Sequence, residues 1–141
     1  MQNPLELYIK AFWPKNKTLS DELNIHYRVL LCFCAMSKAV MVYSIVKWVA
    51  QDSMALVGTS CFGLLLSTVA ALAVRFGVSA VSVANIFLFG AFPHGINMVY
   101  QLGGLDSAHI YWFPVLIVVA FLIANRRSGF FWCSATIKMT G

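Results

Sequence analysis

The sequence predicts an all-α integral membrane protein, an antiparallel bundle of four transmembrane helices followed by an incomplete fifth helix or an interfacial segment. Three observations carry this. Of 141 residues 60% are hydrophobic and 11% charged, where a water-soluble chain carries roughly a quarter charged residues, and the mean hydropathy is +0.79. The apolar residues gather into four runs, each near the roughly 20 residues that a hydrocarbon core of about 30 Å requires. The polar–apolar alternation of barrel strands is missing from those runs, and in lipid a helix is the other way to satisfy every backbone group.

Residues 1–25 read as a cytoplasmic or interfacial segment. Within them PLELYIKAFW places Leu5, Tyr8, Ile9 and Phe12 at helical spacing, which suits a short helix in the headgroup region ended by Pro14, or else a frayed polar terminus. The mixture of Glu6, Asp21 and Glu22 with lysines, and the lack of a long apolar core, exclude a cleavable signal peptide there.

Residues 26–128 hold the bundle, with spans at about 29–50, 54–74, 78–100 and 107–124. The connections are short: Gln51 to Ser53, Arg75 to Gly77, and Gln101 to Asp106. Helices joined so tightly are antiparallel neighbours. Arg28, Arg75, Arg126 and Arg127 mark one side and Asp52 and Asp106 the other, so the positive-inside rule puts the N-terminus in the cytoplasm. Trp48, His109, Tyr111 and Trp112 then fall near one interface, and Phe130, Phe131 and Trp132 near the other. Residues 129–141 are too few to span; they lie along the interface or begin a fifth helix of a longer chain.

The net charge of +5 comes from basic residues that flank apolar runs rather than from a stripe, which fits the lipid bilayer as partner and not nucleic acid. The four cysteines sit in apolar surroundings and read as unpaired. None of the five carboxylates lies in an apolar run, so there is no paired-acid site and no acidic relay, and no phosphate loop or nucleophile elbow is present. Catalysis by this chain is not expected, nor is a cofactor.

Polar residues inside the spans are the candidates for function. Lys38 falls near the bilayer midplane, where a charge costs about 2.5–3.5 kcal/mol on insertion scales. Nine Leu, Ile, Val or Phe residues between Val29 and Val49 offset that cost, at about 0.3–0.6 kcal/mol each. Such a lysine should face the bundle, bonded to backbone carbonyls or an Asn; it either contacts a ligand or a proton, or is a packed or snorkelling lysine in a tilted helix. Lys47, nearer the end, reads as snorkelling. In the third span Gly90, Pro93, His94, Gly95 and Asn97 crowd together; the proline implies a kink, and His94, Asn97 and Gln101 share one face. That stripe is either a pocket wall or interhelical hydrogen bonding worth about 0.6 kcal/mol per contact. With Tyr100 and Trp112 it completes the candidate ligand site: Lys38, His94, Asn97, Tyr100 and Trp112. Ala55, Thr59, Gly63, Ser67 and Ala71 recur every four residues and form a small-residue ridge for helix packing. Asp106 and His109 have the spacing of two metal ligands, too few for a site; the simpler reading is a helix cap and an interfacial histidine.

The stretch GGLDSAHIYWFPVLIVVAFLIANRRSGFFW, Gly103 to Trp132, resembles an element of bacterial multi-span sensor modules. These are the roughly six-helix membrane domains that precede histidine kinases, diguanylate cyclases and class III adenylate cyclases. Gly103, Gly104 and Ser107 before a helix, then Trp112 and Pro114, then Arg126, Arg127, Gly129 and Trp132 carry the likeness, with Arg75 and Gly77 before them; Ala108 stands where such modules often have proline. The resemblance implies a dimeric sensor in the bacterial inner membrane, with further helices and a cytoplasmic output domain beyond Gly141. The expected function is therefore a membrane-embedded sensory and dimerisation domain. It would bind a small, apolar signal between the third span, the fourth span and Lys38 and pass on a helix displacement. A small structural subunit of a multi-chain membrane complex, or part of a transporter broken at Pro93, are the alternatives.

Overall fold

The computed structural model describes residues 3–14, 20–103 and 112–140, and among them every regular element is a helix: α1 (Pro4–Phe12), α2 (Asp21–Ala50), α3 (Met54–Arg75), α4 (Ala80–Gln101), α5 (Trp112–Val119) and α6 (Arg126–Thr140), with a π-helical turn at Ala120–Ala124. Three of these, α2, α3 and α4, are long and apolar enough to cross a membrane.

Each boundary has a local cause. The polar side chain of Asn3 accepts from the Leu5 amide, and Pro4 takes the first turn of α1, where its missing N–H costs nothing. α2 begins eight residues before the apolar run at Val29, because Asp21 and Glu22 suit the positive end of a helix. The Tyr27 hydroxyl, donating to the Val78 carbonyl at 2.8 Å, ties that added turn to the α3–α4 connection. The two tight turns share one device. At the end of α3, Val78 N–H donates to the Ala73 carbonyl and Gly77 N–H to Val74, with Gly77 at φ 74°. At the end of α2, Ser53 N–H donates to Trp48 and Asp52 N–H to Val49, with Asp52 at φ 53°. Both close the last carbonyls through a left-handed residue, glycine in one and, at some strain, aspartate in the other.

α4 is the central helix. It touches α2, α3, α5 and the π turn, and buries residues all round, from Val83 and Phe87 to Phe92 and Val99. It runs helically through Pro93, which leaves the Phe89 carbonyl without its usual donor. The core joins Leu30, Leu31, Val74, Leu88 and Phe113 with Trp132. Outside it the surface stays apolar: Tyr43, Val46, Leu65, Phe89 and Leu122 are each more than half exposed. An exposed apolar exterior of this extent is the mark of a surface that meets a membrane or another protein.

The end of the fourth apolar run departs most from the expected plan. Residues 104–111, with Asp106, His109 and Tyr111, lie outside the described residues. The described part of the fourth run, Trp112–Ala124, is 13 residues, about 20 Å at the helical rise, short of a full crossing by itself. At Asn125 the backbone becomes fully extended (φ 177°, ψ 175°) and the chain reverses. The Asn125 carboxamide accepts from the Ser128 amide at 2.8 Å and starts α6. α6 does not lie apart along a surface; it turns back against α5 and the π turn, so close that a Cβ on Gly129 would stand 2.4 Å from the Phe121 ring.

Candidate functional site

Polar side chains inside the bundle form three clusters, one at each of three helix contacts. The first is the α3–α4 seam. Here the small-residue ridge of α3 faces α4, and at Gly63 and Gly90 the backbones meet: a Cβ on Gly90 would lie 2.7 Å from Leu66 Cβ and 3.5 Å from Gly63 Cα. Ser67 and Ala71 are buried further along the same ridge. One end of the seam is polar. Asn97 donates to the Ala55 carbonyl at 3.0 Å and to Thr59 Oγ1 at 3.2 Å. His94, 4% exposed, sets its Nδ1 3.2 Å from Thr59 Oγ1 and 3.4 Å from Ser60 Oγ. Ser60 spends its proton on the Leu56 carbonyl at 2.7 Å, so its pairing with the ring requires the hydrogen on Nδ1.

The second cluster surrounds Lys38. Its ammonium donates to the Tyr8 hydroxyl at 2.9 Å and stands 4.9 Å from the Tyr8 ring centre and 5.0 Å from that of Phe12. Tyr8 and Phe12, four residues apart on α1, thus make a two-sided aromatic seat for one cation. Burial pushes the Tyr8 hydroxyl above the ordinary phenol range, which keeps it protonated and polar rather than anionic. At the C-terminal end of α1, beside Phe12, Arg75 Nη1 donates to the Ala11 carbonyl at 2.9 Å, one of the carbonyls a helix terminus leaves open. α1 is therefore docked on α2 and α3 rather than floating beside them.

The third cluster fastens α6. Trp132 Nε1 donates to Asn85 Oδ1 at 3.0 Å, Asn85 donates to Ser128 Oγ at 3.2 Å and to the Val81 carbonyl, and the indole stacks on Phe92 at 4.6 Å.

The five residues expected to share a ligand site are distributed as follows. His94 and Asn97 come together through Thr59. Lys38 is engaged by α1, its partner a phenol rather than a carbonyl or an Asn. Tyr100 is 83% exposed. Trp112 opens α5, but its side chain lies outside the described set. Trp48 is buried, with Lys47 Nζ 4.4 Å from its ring centre. Trp132 is likewise buried inside the bundle, while Phe130 and Phe131 point outward. All four cysteines are free, and no group of three metal-ligating side chains occurs among the described residues. Sequence reasoning did not single out Asn85, Ser60 or the pairing of Tyr8 with Lys38. Asn85, an amide in an apolar run, was the available signal for the first.

No family model, curated protein or solved structure matches this chain.

Proposed function

We propose that this chain is the membrane-embedded input domain of a bacterial signalling receptor, set in the inner membrane with its N-terminus cytoplasmic, and that the docking of α1 on Lys38 is what a signal alters. The observation that carries the reading is the Lys38–Tyr8–Phe12 cluster: a cation at bilayer depth whose polar contact comes from a nine-residue helix. A charge there is costly when bare, so bound and released positions of α1 differ in free energy by an amount that a small competing ligand can supply. A ligand shifts an equilibrium only by its differential affinity for the two states, and Lys38 is the group for which that differential is largest. Arg28, Arg75, Arg126 and Arg127 at one end of the bundle and Asp52 at the other support the orientation. The resemblance of Gly103–Trp132 to sensor modules supports a homodimer, with displacement leaving through α6.

Spin labels at exposed Leu7 on α1 and Val42 on α2, read by pulsed electron resonance in nanodiscs, test the clamp. Lys38→Met should turn a narrow distance distribution into a broad one. In a chimera with a histidine kinase output after α6, the same change should lock the output in one state. Unchanged distances together with an unchanged output would overturn the reading.

A second reading, a structural subunit of a larger membrane complex, is favoured by one observation: Asn97 and the Nδ1 of His94 find their hydrogen-bond partners within the α3–α4 seam. It predicts a stoichiometric partner chain on mild-detergent purification, and an assembly lost on Gly90→Val.

A further inference from the structure

Beside the Asp21 half of α2 the bundle leaves an open groove of about 500 Å3, walled by Ile25, Val29 and Phe33 on one side and by Val115, Val118 and Leu122 of α5 and the π turn on the other. The volume is that of a ligand site, roughly 300–1,000 Å3. From Ile25 to Phe33 it runs about 12 Å along the helix, less than half of a hydrocarbon core of about 30 Å. It is thus confined to one leaflet.

The groove is apolar along its length and basic at one end. His26 lines it. Arg126 and Arg127, exposed, open α6 three and four residues after Ile123, the last groove residue of the π turn. Arg28, also exposed, is two residues beyond His26. Exposed Asp21 and Glu22 are the carboxylates nearest in sequence on α2, a turn further out. Basic pockets beside transmembrane helices on the cytoplasmic side recognise anionic headgroups, and an open apolar trough one leaflet deep fits an acyl chain. We infer that this groove holds an anionic glycerophospholipid, one acyl chain between α2 and α5 and the phosphate at Arg126, Arg127 and His26. The inference rests on the membrane reading above but not on the α1 clamp.

The test uses the full chain reconstituted in mixed vesicles with phosphatidylglycerol or phosphatidylcholine spin-labelled on the acyl chain, measuring the motionally restricted lipid. Wild type should prefer phosphatidylglycerol about fivefold or more, since each arginine near the surface contributes about that factor. R126Q/R127Q should bring the ratio to near one. Val118→Trp, which fills the trough from an exposed position, should remove the phosphatidylglycerol preference while leaving the lipid shell around the bundle, whereas Val46→Trp, outside the groove, should keep the preference. Integration without selectivity, or selectivity untouched by R126Q/R127Q and Val118→Trp, overturns the lipid site alone. Extraction of the chain by alkaline carbonate would overturn the membrane reading together with it.

Discussion

The α3–α4 seam and the α1 clamp hold helices together by opposite means. The seam works by shape: two glycines let backbones touch, hydroxyls return their protons to their own helix, and the cross-helix hydrogen bonds gather at one end. If lipid surrounds the bundle, as proposed, no hydrophobic force favours association of these helices and close packing has to supply it. The clamp works by charge: Lys38 holds Tyr8 and Arg75 holds the Ala11 carbonyl. α1 has no fully buried residue; Tyr8, Ile9 and Phe12 only pack against the rim of the core, and its hold depends on cations that are uncomfortable without it. The seam should therefore resist any ligand, and the clamp should yield to one. Breaking each in turn makes the difference measurable.

The largest effect is expected at the seam's crossing point. Gly90→Val places a branched carbon where Leu66 Cβ already stands within 2.7 Å, so the helices must part, at a cost of about 3 kcal/mol. Steric trapping in bicelles reads this directly. Gly63→Ala should cost about 1 kcal/mol or less, because its nearest neighbour, at 3.0 Å, is the flexible end of Met41. Equal costs at the two glycines would show that α3 and α4 do not cross there.

The clamp comes next, and here two substitutions separate charge from contact. Tyr8→Phe leaves Lys38 charged without its acceptor, and should destabilise the docked state by about 2 kcal/mol, as for hydrogen bonds to ions. Lys38→Met removes the charge as well. α1 should then exchange its amide hydrogens faster while the α2–α4 bundle keeps or gains stability, since the insertion cost of about 2.5–3.5 kcal/mol disappears. Hydrogen–deuterium exchange over Leu5–Phe12, set beside the global unfolding free energy, distinguishes these signs. A loss of bundle stability on Lys38→Met would mean that the lysine is a core strut and not a clamp.

How much of this was legible follows from the range of each interaction. The three long apolar helices are written locally in runs of apolar residues, which hydropathy finds, and their tight turns fall at Asp52 and Gly77 between those runs. The ridge on α3 is periodic within one helix, so its face was legible too, although not that Gly90 would be what it meets. Lys38 announces itself by cost alone. Its partner Tyr8 is thirty residues away, beyond a proline and several lysines in the sequence, and no periodicity links the two. Trp132 illustrates the opposite error: an aromatic next to basic residues resembles an interfacial anchor, but Asn125 turns the chain and Asn85 waits forty-seven residues back to bind the indole. That pair offers a smaller test of how α6 is fastened. Trp132→Phe keeps an aromatic ring for Phe92 and loses the hydrogen bond, for about 1 kcal/mol, whereas Trp132→Phe with Asn85→Leu should recover much of it. No recovery in the double variant would place the loss in the stacking.

The smallest effects should come from the polar end of the seam, and they decide whether His94 and Asn97 are structure or site. Interhelical hydrogen bonds in membranes average about 0.6 kcal/mol, because the separated helices also find partners for these groups. Asn97 donates twice across the seam, to Ala55 and to Thr59. Asn97→Leu should therefore cost about 1 kcal/mol and Thr59→Val less, with a coupling near the value of one bond in a double-variant cycle. The hydroxyl of Thr59 also returns to its own helix at Ala55 and Leu56, which limits what its removal exposes. If the seam only packs, His94→Leu and Asn97→Leu shift stability by these amounts and leave the α1–α2 distance distribution alone. A large change in that distribution, with little change in stability, would instead couple the seam to the clamp and return His94 and Asn97 to the signal-binding surface that their spacing suggested.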